Sequence, residues 1–186
     1  METFRPDQST TIVDVGVADS GFGEAGGPAS TYNFLEAMYP WPRRITAVGV
    51  VDLPNFQQAF PDVAWVRADG RDLPFEDGAF DIAFSNAVVE HVGGEDEQRA
   101  FVAELCRVAR GVFVATPNRW FPIDVHTLMP VVHWLPDGAR NSIFRGLGKE
   151  EITPLGPRQL RALFPIPVRI VNTGIALIAI GEREVG

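Results

Sequence analysis

Three carboxylates stand where apolar runs of this chain end. Asp14 lies near the end of TIVDVG, Asp52 closes RITAVGVVD and Asp69 closes VAWVRAD. In an open α/β sheet, ligands bind in the crevice beyond the carboxyl ends of the strands. A ledge of acids there accepts hydrogen bonds and offers no cation to a phosphate. It suits a ligand with ribose hydroxyls, an exocyclic amine and a positive charge. Beyond a fourth apolar run come Glu90 and His91. An imidazole titrates near neutrality, so His91 can remove a proton from an acceptor. It reads also, and somewhat more readily, as a helix-start residue that bonds only the backbone. Arg119 and Trp120 follow a fifth run. A guanidinium there can fork onto a carboxylate or phosphate, or form an ordinary surface ion pair. His126 is a third acceptor-side candidate. It stands seven residues before His133, on one helical face only if Pro130 does not kink the segment. Too few ligands lie nearby for zinc, and no metal is expected.

These residues need a scaffold, and the pattern supplies one. Apolar runs near 11–16, 45–51, 63–68, 80–85 and 111–116 read as strands. Helical patterns near 30–39, 55–60 and 96–109 lie between them. Ser30 or Thr31 reads as a cap for the first, which Pro40 and Pro42 stop. Asp96 and Glu97 favour the N-terminal end of the third, and Gly111 follows its C-terminal end. Such alternation predicts a parallel sheet with right-handed crossovers. VRIVN and IALIAI break it, because only Thr173-Gly174 separates them. That is a tight antiparallel hairpin, which makes the sheet mixed. Residues 117–157, rich in proline and aromatics, leave the fifth strand on the ligand side. They read as a substrate lid with one or two short helices.

A chain of 186 residues is expected to form one domain. The net charge of −8 and the lack of a basic run argue against a nucleic-acid partner. A single cysteine, Cys106, excludes an internal disulfide and fits a reducing, cytoplasmic setting. On its helical pattern it reads as a small buried hydrophobe. The N-terminus has no signal-peptide pattern, and no apolar run is long enough to span a membrane.

The middle segment, RADGRDLPFEDGAFDIAFSNAVVEHV, carries a more specific signal. An acid precedes Leu-Pro-Phe, then come a turn, Phe-Asp, an apolar strand and Glu-His. With the seven strands and reversed last strand, it resembles the class I S-adenosylmethionine-dependent methyltransferases. The resemblance spans roughly residues 11–116 and 167–181. It implies a Rossmann-like, doubly wound seven-stranded mixed sheet with an antiparallel C-terminal hairpin, and S-adenosylmethionine as cofactor. It further implies that Asp14, Gly16 and the loop through Ala18 to Ser20 pack against the methionine part. Asp52, with Leu53 beside it, would take the ribose hydroxyls. Asp69 and Gly70 would meet the adenine, and Asn86 the methyl-donor end. The first motif departs from the family pattern, since Ala18 and Ser20 replace two glycines. A Cβ at either place strains or shifts a close backbone approach.

Gly21-Phe22-Gly23-Glu24-Ala25-Gly26 is a literal GxGxxG and suggests a dinucleotide instead. The context opposes it. That fingerprint begins directly after its strand, but Gly21 comes five positions beyond Gly16. Glu24 would also repel the pyrophosphate. The expected activity is therefore methyl transfer to a small molecule, sugar or lipid. An inactive methyltransferase-like binding module and a nicotinamide-dependent oxidoreductase are the alternatives. The N-terminal helices that often cover the cofactor in this family are not seen in the pattern. The site is then expected to be open, or covered by the 117–157 segment or a second copy of the chain.

Overall fold

A computed structural model describes residues 4–21, 33–125, 127–149 and 151–183. Seven strands form one sheet: β1 (Ile12–Val15), β2 (Ile45–Gly49), β3 (Ala64–Arg67), β4 (Phe80–Asn86), β5 (Ala109–Pro117), β6 (Arg169–Asn172) and β7 (Ala176–Glu182). Their order across the sheet is β3-β2-β1-β4-β5-β7-β6. The pairs from β3 to β5 are parallel. β7 runs antiparallel to both β5 and β6. The hairpin therefore folds its second strand inward, and β6 forms the edge. Gly174 makes the turn at φ +91°, where a side chain would be strained.

Helices cover both faces. They are α1 (Phe34–Met38), α2 (Pro54–Ala59), α3 (Glu95–Val108), α4 (Asp137–Gly146) and α5 (Pro157–Leu163). Alternation along β1 sends Val13 and Val15 to one face, where they join Phe101, Val102 and Leu105 of α3 and Leu160 of α5. Ile12 points to the other face, with Leu35 of α1 and Phe56 of α2. Asp14 shares the face of Ile12 by the same period of two, which places a carboxyl beneath α1.

The Leu-Pro-Phe and Phe-Asp pieces of the middle segment tie elements together. Asp81 Oδ2 accepts from the Thr11 amide and hydroxyl, both at 2.9 Å, and so anchors the entry to β1. The Leu73-Pro74-Phe75 turn is fastened to α3. Arg107 donates to the carbonyls of Phe75 (2.7 Å) and Leu73 (2.9 Å), and Glu104 accepts from the Leu73 amide at 2.8 Å.

Two boundaries differ from the sequence expectation, and a third lies beyond what the structure describes. β2 ends at Gly49 rather than 51, since Val50 and Val51 extend the apolar run while the chain bends there. Gly111 does not close α3. The helix passes straight into β5, where Gly111 pairs with Ile82 and Glu182. A Cβ on it would sit 2.6 Å from the Phe4 ring. The first helix is described from Phe34, so the Ser30/Thr31 cap lies outside the described residues. Beyond β5, a 3₁₀ turn at Val132–Trp134 and α4 fill the 117–157 segment, around a small core of Val132, Phe144 and Ile152.

Candidate active site

A cavity of about 520 Å³ opens at the carboxyl ends of β1 to β4. That volume is ordinary for a small-molecule site. Its floor is Gly16, at φ +101°. A Cβ there would lie well inside contact distance of Val88 Cγ2 and 2.8 Å from Cγ1. The residue therefore has to be glycine both for its backbone and for its space.

The next turn of chain is held by side chains. Asn33 Oδ1 accepts from the Ala18 amide at 3.0 Å, and its Nδ2 donates to the carbonyls of Ala18 (2.8 Å) and Ser20 (2.6 Å). Asn33 itself sits at φ 57°, a conformation asparagine tolerates better than most residues. Asp19 reaches the other way and caps α2, accepting from the amides of Asn55 (2.8 Å) and Phe56 (3.0 Å). Neither Ala18 nor Ser20 is at positive φ. The strain expected of them is not present, because this loop does not use the conformations that glycine alone permits. Beyond Gly21, the GxGxxG stretch lies outside the described residues.

Asp14 lines the cavity and is 6% exposed, with Glu36 of α1 at 4%. Burial, and then the neighbouring Glu36 carboxyl, push Asp14 well above the usual carboxylate range. Burial also raises Glu36. Two adjacent carboxyls in a dry place do not both ionise readily, so the pair retains a proton to higher pH than either alone.

Asp69 and Gly70 form the β3 side of the cavity. Arg71 forks onto Asp69, with Nε to Oδ1 at 3.0 Å and Nη2 to Oδ2 at 2.6 Å. These hydrogen bonds lower the Asp69 pKa, so it is a carboxylate at neutral pH. Gly70 packs on α3, and a Cβ would stand 2.5 Å from the Phe101 ring. Asn86, Ala87, Val88 and His91 complete the wall at the end of β4. Ala87 turns the chain there at φ 56°.

The remaining sequence candidates lie elsewhere. Val50 and Val51 line the cavity where Asp52 was expected. Asp52 follows them with its side chain 75% exposed, 3.4 Å from Arg67 Nη1. Leu53 is fully buried with Phe56 in the core. Glu90 is 1% exposed, behind His91, and accepts from Thr116 Oγ1 at 2.9 Å. Arg119 borders two smaller cavities rather than this one. Trp120 is exposed and lies 6.5 Å from Trp134. His126 lies outside the described residues, and His133 is buried with Nδ1 3.7 Å from Asp124. Among the described residues no cluster of three or more ligating side chains could hold a metal. Nor, among them, is any helix long and apolar enough to cross a membrane. Sequence reading did not assign Asn33, Asp19 or Glu36. Only the asparagine carried a signal, as a residue suited to positive φ just before a helix.

Residues 36–114 match the family model described as "Methyltransferase domain". Over that stretch the chain is similar to a methyltransferase domain. No curated protein matches it significantly. Solved structures share the fold at low identity. An S-adenosylmethionine-dependent methyltransferase from Mesorhizobium loti superposes with TM-score 0.64 at 12% identity, over 98% of this chain and 95% of that one. One from Methanosarcina mazei gives 0.63 at 12%, over 97% and 95%. The N-methyltransferase NodS from Bradyrhizobium japonicum, solved with S-adenosylhomocysteine, gives 0.59 at 11%, over 95% and 79%. The crevice of this chain has room and polarity for a small polar ligand. Gly16 leaves room for close backbone approach, Asp14 and Asp69 line the crevice, and Arg71 on its wall is already held by Asp69.

Proposed function

We propose that this chain is an S-adenosylmethionine-dependent methyltransferase and binds that cofactor across the crevice, with the adenine edge at Asp69 and Gly70. The methionine part lies over Gly16, beside Asp14, and the methyl-donor end faces Asn86 and His91. The observation that carries this is the glycine floor, where a side chain would close the cavity against Val88. Asp52 serves the ribose from the rim. Its one long ion pair is exposed and worth little, so its side chain is free to turn inward.

When bound, S-adenosylmethionine supplies an electrophilic methyl group on a sulfonium. This chain's residues mainly position the partners. Asn86 orients the donor end, and His91 takes the acceptor's proton where the acceptor must lose one. Glu90 acts through position, fixing the turn that carries His91 from its bond to Thr116. The acceptor is a small molecule, entering beneath the 117–157 segment, which serves as a lid bearing Trp120. The acidic net charge favours it over nucleic acid, and the single buried cysteine suits the cytoplasm.

Calorimetric titration with S-adenosylhomocysteine tests this placement. Binding is expected, weakened roughly tenfold or more by Asp69→Ala or Asp52→Ala, as for a lost charge-assisted hydrogen bond. No binding by the unaltered protein, or binding indifferent to both substitutions, overturns it. Binding of a nicotinamide dinucleotide instead would favour the oxidoreductase alternative.

A further inference from the structure

Exposed apolar side chains of this molecule gather on one segment. Among the described residues from 120 to 136, every exposed one is apolar. Asp124 and His133, the ionisable groups described there, are both buried. The segment is built rather than loose. Ile123 pairs with Pro130 in an antiparallel bridge, and the Val131 amide donates to the Pro122 carbonyl at 2.8 Å. Asp124 Oδ1 accepts from the Thr127 amide and hydroxyl, both at 2.8 Å. The tip that these bonds close presents Ile123, Leu128 (65% exposed), Met129 and Val131. Leu128 and Val131 stand at φ 58° and 53°, which bulky and β-branched residues rarely adopt. Such strain persists only where the surrounding structure imposes it, and it clusters at functional sites. Trp120 (60% exposed) and Trp134 flank the tip in sequence and meet in space, with ring centroids 6.5 Å apart.

We propose that this face seats the protein on an anionic lipid surface. An exposed apolar patch marks contact with a membrane or with another protein, and the charge around this one favours the membrane. The Arg119 guanidinium leans on the Trp120 ring, 5.8 Å from its centroid. A Cβ on Gly156, the residue before α5, would stand 2.8 Å from Trp120 Nε1, and Arg158 lies exposed on the first turn of that helix. Arg119, Arg140 and Arg158 border one cavity there, and Glu95 on its wall is engaged by Arg99. From 117 to 163 the chain holds six of its 16 basic residues and only four of its 24 acidic ones, net +2, against −10 for the remainder. A negative surface therefore attracts this side and repels the rest, which orients the molecule on it. Tryptophan is favoured at the headgroup level, and apolar side chains beside it reach the acyl boundary. A second copy would instead bring another chain of net −8 against this one.

The test is co-sedimentation of the full chain with vesicles of phosphatidylcholine alone, and of phosphatidylcholine and phosphatidylglycerol in equal parts. The protein is expected to sediment with the mixed vesicles, and roughly tenfold less or weaker still with the neutral ones. Leu128→Asn combined with Met129→Gln should weaken the partition roughly tenfold or more. Asparagine tolerates the positive φ of position 128 better than leucine does, so this variant keeps its fold. Arg158→Gln should weaken the partition roughly fivefold, as for one cation lost near a charged surface. Both variants should bind S-adenosylhomocysteine as the unaltered protein does, which separates failure of this face from failure of the crevice. Overturning results are no sedimentation with the mixed vesicles, equal sedimentation with the neutral ones, or an unchanged partition in the Leu128→Asn, Met129→Gln variant. A dimer in vesicle-free solution that the same variant dissolves would assign the face to a second copy, and would overturn the proposal too.

Discussion

The glycine floor makes a quantitative forecast. Gly16→Ala imposes two penalties at once. A non-glycine residue at φ +101° costs about 1–2 kcal/mol in backbone strain. The new methyl also meets Val88, with Cγ1 at 2.8 Å and Cβ at 3.1 Å, and relieving such overpacking costs about 1–3 kcal/mol. The total is about 2–5 kcal/mol, a large part of an ordinary domain's stability. The two parts separate in a double-mutant cycle. Val88→Ala removes both Cγ atoms and leaves the strain untouched. In that background Gly16→Ala should cost only about 1–2 kcal/mol, giving a coupling of about 1–3 kcal/mol. Urea unfolding of the four proteins measures this. Titration of the folded fraction with S-adenosylhomocysteine should show weaker binding for Gly16→Ala alone, because a displaced Val88 narrows the crevice it lines. Additive stability effects within about 0.5 kcal/mol would refute the account of Gly16. So would unimpaired binding by the single variant.

Three further outcomes follow from the same geometry. Replacing Ala18 or Ser20 by glycine should lower stability by about 0.5–1 kcal/mol each and leave cofactor affinity unimproved, as measured by unfolding and calorimetry. The Cys106 thiol, 3% exposed and pushed up to about 12 by burial, should resist a thiol reagent near pH 8 until the protein unfolds. For Asp14 and Glu36, the folded state holds protons more tightly than the unfolded one. Their contribution is therefore complete at low pH and is lost as pH rises from the ordinary carboxylate range through the raised folded values. Glu36→Gln removes the like-charge repulsion. Its stability relative to the unaltered protein should improve between about pH 5 and about pH 8, and a flat or opposite trend in unfolding free energy would exclude the carboxyl pair as its cause.

The scaffold was largely legible because each element announces its own period. The helical stripe of Phe101, Val102 and Leu105 and the short Thr173-Gly174 spacer are local signals, and local signals survive folding. Asp69, two residues beyond β3, was readable for the same reason. Asp52 was harder. Val50 and Val51 continue the apolar run past the place where β2 stops, so the strand's end, and the acid's direction, depend on a bend that composition does not mark. Glu36 shows the limit differently. On a short helix it reads as a solvated charge, and only the packing of α1 over the odd-even alternation of β1 puts it against Asp14. Arg140 and Arg158 are far apart from Arg119 in sequence, and tertiary folding alone brings them to one cavity.

The departure from the family's glycine pattern then has a physical reading. A glycine-rich loop approaches a ligand closely but loses much conformational entropy when ordered. Here only the position that needs positive φ keeps its glycine, at Gly16. The residues after it are tethered from both sides, by Asn33 at Ala18 and Ser20 and by Asp19 at the start of α2. Those bonds order the loop before any ligand arrives, so binding need not bear the ordering cost. If the tethers do this, Asn33→Ala should weaken S-adenosylhomocysteine binding although its side-chain bonds go only to the loop backbone. The loss should appear as a less favourable entropy rather than a missing contact enthalpy. Unchanged affinity in that variant would mean that the loop's shape is set by Gly16 and its neighbours alone.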